Sequence, residues 1–120
     1  MLSKIFGDIG ENKVTEYCEI TKKYKILNKN YKCKNYGEID IVAKKDDFII
    51  FIEVKSRKNS KYMEIYEVID KRKKEALLRA AKFYIIKKNL GEYSYRIDLA
   101  TYDKEKDKIE YFENIIEDHY

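Results

Sequence analysis

With 120 residues, 44% of them hydrophobic and 40% charged, the chain is long enough for one hydrophobic core and too short for two ordinary domains, so a single domain over 1–120 is expected. No stretch approaches the roughly 20 apolar residues needed to span a bilayer, and Met1 to Gly10 lacks the apolar run and cleavage site of an export signal, which implies a cytoplasmic protein with no membrane partner. The formal net charge of +4 is only a weak pointer to an anionic partner.

The first segment, from about Gly10 to Lys23, places Val14, Tyr17, Cys18 and Thr21 on one helical stripe and reads as an amphipathic helix. Tyr24 to Tyr31 is an outer strand, and Asn35, Tyr36 and Gly37 turn the chain into a strand over Glu38 to Lys44. Asp46 and Asp47 form the next turn. Phe48 to Ile52 is then an uninterrupted apolar run, as expected of a central strand buried on both faces. Ser56 to Lys61 reads as a loop, and Asp70 as the N-cap of a helix running to about Lys88, ended by Asn89 to Gly91. Tyr95 to Tyr102 supplies a further strand, Asp103 to Asp107 a turn, and Ile109 to Phe112 a last strand before an acidic tail. The order αβββαβ with an added C-terminal strand predicts an α/β fold, a mixed β-sheet flanked by helices. Cys18 and Cys33 form no CxxC motif and are expected to be reduced thiols. The tyrosines sit beside apolar residues at strand or helix spacing, which suits core and edge positions better than base stacking.

The chemistry starts where polar residues interrupt the apolar strands. Period-two alternation puts Glu38, Asp40 and Val42 on one face of their strand, and Phe51, Glu53 and Lys55 together on one face of the next. Burying such charges without partners costs several kcal/mol, so something must compensate them. One compensation is structural: Asp40, Glu53 and Lys55 neutralise each other at a partly wet sheet rim. The other is a divalent cation. Hard oxygens from two strands, with a backbone carbonyl such as that of Val54, suit Mg²⁺ or Mn²⁺, and Mg²⁺ usually keeps several waters and shares one or two carboxylates with a substrate phosphate. Lys55 then orients or deprotonates an attacking water and offsets phosphate charge.

Glu11 falls on the apolar stripe of the first helix, where it serves either as a dipole partner or as an accessory metal ligand. Lys73 shares the stripe of Leu77, Ala80 and Tyr84. Lys71, Arg72 and Lys73 in the first helical turn oppose the dipole unless an anion such as a DNA phosphate lies there, and Arg57 and Lys58 add to the same basic cluster. These five are the candidate nucleic-acid contacts. Arg96 and Asp98 read as an internal ion pair, and His119, in the tail, has no partner suggesting catalysis.

Gly37-Glu38-Ile39-Asp40-Ile41-Val42-Ala43 followed by Phe51-Ile52-Glu53-Val54-Lys55-Ser56-Arg57 resembles the paired GEIDLIA and FVEVKxR motifs of the YraN-like family of uncharacterised proteins. Gly10-Glu11, Asn30-Tyr31, Lys73 with Ala81, and Arg96-Ile97-Asp98-Leu99 extend the resemblance over nearly the whole chain. The pattern is also similar to the restriction endonuclease-like PD-(D/E)XK nucleases, and especially to archaeal Holliday junction resolvases. Two departures stand out: Ile39 replaces the Pro that names the nuclease group, and Tyr62-Met63-Glu64 lacks the Gly frequent in YraN-like proteins.

The resemblance implies a metal-dependent endonuclease acting on DNA, branched or junction DNA by analogy, with Asp40 and Glu53 as ligands, Lys55 catalytic and Glu11 a further ligand. It also implies a homodimer, since a two-fold enzyme matches a symmetric junction. The rival is a non-catalytic nucleic-acid-binding module on the same scaffold, whose basic cluster suits phosphate contact better than base readout.

Overall fold

The computed structural model describes residues 2–58 and 69–116, with side chains described from residue 9. The expectations for residues 59–61, for Tyr62-Met63-Glu64 and for His119 lie outside the described residues.

The chain opens with helix α1 (Leu2–Ile20), followed by β1 (Lys25–Lys32), β2 (Glu38–Lys45), β3 (Phe48–Arg57), helix α2 (Lys71–Lys87), β4 (Ser94–Asp103) and β5 (Lys108–Phe112). The five strands form one mixed sheet in the order β1-β2-β3-β4-β5. Only the β3–β4 pair is parallel, because α2 makes the crossover between them while the other connections are turns.

Local chemistry accounts for most boundaries. Asp46 adopts a left-handed φ of 53° in the two-residue link between Lys45 and Phe48, the kind of turn that a tight hairpin requires. Gly37, with φ of 100°, ends a short 3-10 turn (Lys34–Tyr36) and starts β2. Asp70 caps α2 by accepting the Lys73 N–H at 2.8 Å, as its sequence position predicts. At the other end Asn89 is left-handed, and the Leu90 N–H reaches back to the Ile85 carbonyl, which closes the helix.

Two elements are bounded differently from expectation. Helix α1 starts at Leu2, eight residues before the expected Gly10, and stops at Ile20, where the Thr21 and Lys22 N–H groups both close on the Tyr17 carbonyl. Strand β3 continues through Ser56 and Arg57, which by composition read as the start of a loop, because β4 runs alongside in register to Arg57↔Asp103 and satisfies that backbone.

Helices cover the two faces of the sheet. Val14 and Cys18 of α1 pack with Ile41, Ala43, Ile50, Ile52 and Ala100, while Leu77, Ala80, Ala81 and Tyr84 of α2 pack with Val42, Ile49, Phe51, Ile97 and Leu99. Strand β3, third of five and carrying both inner rows, is the central strand that its apolar run predicts. Both cysteines are free and buried, and burial pushes the Cys18 thiol up to about 12, away from reactivity. No helix among the described residues is long and apolar enough to cross a membrane.

Candidate active site

The site forms where β2 and β3 separate. Their ladder runs from Lys45↔Phe48 to Ile41↔Ile52, and beyond it the side chain of Asp40 replaces a backbone acceptor: the Val54 N–H donates to Asp40 Oδ2 at 2.8 Å. The Val54 N–H thus orients Asp40. Alternation along β3 brings Glu53 to the α2 side, beneath the first turn of that helix.

Glu53 is 5% exposed on the most apolar strand of the protein. Its Oε1 lies 3.5 Å from Lys73 Nζ, while Oε2 is buried with no hydrogen-bond partner among the described residues. Burial is the main force pushing the Glu53 carboxyl up, to about 7; the Asp40 charge adds to it, and Lys73 and Lys55 oppose it. The Asp40 carboxyl is also raised, mainly by burial, against the pull of the Val54 N–H and the Lys73 ammonium. Two desolvated carboxylates thus repel one another, with one oxygen left unsatisfied.

Lys55 is half-buried, two residues along the same face, beside Thr101 of β4 in the parallel register. Its charge lowers both carboxyls, so it lies within electrostatic reach of each. The structure therefore brings together Asp40, Glu53, Lys55 and Lys73.

Glu11 is half-buried on α1 and follows Gly10, which packs so closely on β3 that an added Cβ would lie 1.9 Å from Ser56 Oγ. Among the described residues, no three His, Cys, Asp or Glu side chains gather as a metal cluster, so Glu11 does not complete a three-carboxylate cage with Asp40 and Glu53. Lys71, Arg72, Arg57 and Lys58 are exposed, and the first turn of α2 carries no acidic residue.

The donors fit a hard divalent cation. Asp40 and Glu53 offer carboxylate oxygens from adjacent strands, their mutual repulsion favours a bridging positive charge, and the orphaned Glu53 Oε2 is a buried acceptor in need of a partner. Mg²⁺, which keeps several waters and needs few protein ligands, suits a two-carboxylate site.

Helical periodicity places Lys73 on the inward stripe, and there its ammonium faces Glu53. The contact of Gly10 with Ser56 has no signal in the sequence. Arg96 and Asp98 do pair, at 3.0 Å, and Asp98 further accepts from the Tyr111 hydroxyl and the Asn114 N–H, a network that ties β5 to β4 away from the site.

Residues 10–101 match the model of the Uncharacterised protein family UPF0102. A UPF0102 protein of Fusobacterium nucleatum is 40% identical over 116 residues, covering 97% of this chain and 94% of its own length. Another, from Clostridioides difficile, is 44% identical over 99 residues, covering 82% of this chain and 85% of its own. A third, from Alkaliphilus metalliredigens, is 40% identical over 115 residues, with 94% of this chain and 98% of its own length covered.

Proposed function

The chain belongs to the uncharacterised protein family UPF0102, the YraN-like one, and we propose that it is a metal-dependent endonuclease hydrolysing DNA phosphodiester bonds. The observation that carries this is the buried Asp40–Glu53 pair with its unsatisfied Oε2, set beside the half-buried Lys55. The likeness of these strands to the PD-(D/E)XK nucleases supports the same reading.

Asp40 and Glu53 hold the cation, and the Val54 N–H fixes the angle of Asp40. A divalent cation bound there supplies Lewis acidity at the phosphate and neutralises its charge. Lys55 donates to the attacking water and to the phosphate, holding the nucleophile in line with the scissile bond. The water oxygen forms the new P–O bond and gives up a proton to solvent, the ester P–O bond breaks, and the leaving alkoxide takes a proton from solvent. Arg57 and Lys58 at the end of the catalytic strand, and Lys71 and Arg72 at the start of α2, are exposed and bind the flanking phosphates. Branched DNA, cut by two copies related by two-fold symmetry, is the substrate and assembly that the resolvase likeness favours.

One observation favours a second reading, a non-catalytic nucleic-acid-binding module: Lys73 already compensates Glu53 without a metal. Labelled four-way junction, flap, single-stranded and linear duplex DNA, incubated with wild type and Glu53→Ala in Mn²⁺, Mg²⁺ or EDTA, separates the two. Metal-dependent cleavage lost in the variant supports the nuclease. Binding equal in both proteins and indifferent to EDTA, with no cleavage, supports the module.

A further inference from the structure

The two partners in the Glu53–Lys73 pair differ in freedom. Glu53 is 5% exposed and anchored in the central strand. The Lys73 side chain is 38% exposed, on a four-carbon stem whose backbone alone is pinned, through the Asp70 cap. Their separation of 3.5 Å exceeds the roughly 2.7–2.9 Å of a tight charge-assisted hydrogen bond, so Lys73 lends charge without a firm bond.

The charges near the pair decide what a second cation does. Asp40, Glu53, Lys55 and Lys73 sum to zero when both carboxyls are ionised. A divalent cation held by Asp40 and Glu53 would share the Glu53 carboxylate with the Lys73 ammonium, in a buried place where like charges repel strongly. The strand cannot yield, whereas the lysine can. Outside the pair, the first turn of α2 presents exposed Lys71, Arg72 and Lys74 at the positive end of the helix dipole, against the single carboxylate of the Asp70 cap. An ammonium leaving Glu53 enters a surface shaped for an anion.

We infer that Lys73 is an exchangeable counter-charge: it neutralises Glu53 in the cation-free protein, yields the carboxylate to a divalent cation, and carries its charge to a nucleic-acid phosphate. The inference rests on the nuclease reading and makes metal loading a switch for DNA affinity. Lys73 then acts as a positioning residue in one state and a phosphate contact in the other. Cation and DNA consequently bind with positive coupling, each removing a cost that the other would meet.

Full-length wild type, Lys73→Gln and Lys73→Arg test this without cleavage, using Ca²⁺ titration by calorimetry and the salt dependence of binding to a linear duplex DNA. With the competing ammonium removed, Lys73→Gln binds Ca²⁺ about tenfold more tightly than wild type. In Ca²⁺ its DNA affinity falls and its salt slope loses about one unit, while in EDTA its slope equals that of wild type. Lys73→Arg, which keeps the charge, restores the wild-type pattern. Ca²⁺ affinity unchanged or weakened in Lys73→Gln, or an equal loss of slope with and without Ca²⁺, overturns the inference alone. Failure of wild type to bind Ca²⁺ or Mn²⁺ overturns the nuclease reading and this inference together.

Discussion

Replacing Glu53 with Gln should stabilise the metal-free protein above neutral pH, although it removes a charge from the centre of the site. The Glu53 carboxyl rises from its ordinary value of 4.5 to about 7 on folding. Between those values the folded state keeps a proton that the unfolded chain has released, so stability falls as pH climbs through that window and levels off above it. At about 1.4 kcal/mol per unit, the full cost at pH 8 is on the order of 3 kcal/mol. The Glu53→Gln protein escapes that cost, in which the help of Lys73 and Lys55 is already counted because both lower the carboxyl. The gain of about 3 kcal/mol corresponds to a rise in Tm of roughly 12–15 °C at pH 8 for a domain of this size, shrinking to nothing as pH approaches 4. Thermal melts of both proteins in EDTA across that range measure it. Saturating Mn²⁺ should reverse the order at pH 8, adding about 4.1 kcal/mol to wild type at a thousandfold excess over Kd and nothing to the variant. A Glu53→Gln protein that melts at or below wild type at pH 8 in EDTA refutes the account of Glu53 as a buried charge that Lys73 and Lys55 compensate only in part.

Lys55→Gln should reduce metal-dependent cleavage by about 10²-fold or more while leaving a Ca²⁺ site that calorimetry still detects, since Lys55 acts on water and phosphate and holds no metal. Tyr111→Phe takes a hydroxyl from the fully buried Asp98 and should cost about 1–3 kcal/mol in urea denaturation, with the slope unchanged. Gly10→Ala drives a Cβ onto Ser56 Oγ, which can rotate aside, and to 3.2 Å from Ser56 Cβ, which must give way, and should destabilise by about 1 kcal/mol. Adding Ser56→Ala should recover part of that loss, and strict additivity of the two changes would show that they do not touch.

Much of the site is legible without the fold because alternation along a strand is a local rule. Once β2 and β3 are assigned, Asp40 must share a face with Val42, and Glu53 with Phe51 and Lys55, whatever surrounds them. The same locality explains the success at Asp70, whose cap bond spans three residues, and at the Asp46-Asp47 turn. The order of elements likewise implies a mixed sheet, since a helix between two strands permits the parallel pair that hairpins do not.

What the tertiary structure alone decided depends on contacts between residues distant in the chain. Lys73 stands on the inward stripe of its helix, but which group it meets follows from where α2 lands on the sheet, twenty residues beyond Glu53. The persistence of β3 through Arg57 comes from a β4 strand more than forty residues away, which supplies partners to backbone that reads as loop by composition. Glu11 lies on the right helical face to be a ligand, yet Gly10 against Ser56 sets how α1 sits on β3, and no three-carboxylate cluster forms among the described residues. Sequence periodicity determined which side chains face inward; only the packing of helices on the sheet determined whom they meet, because a partner's identity is a matter of distance in space and periodicity carries none.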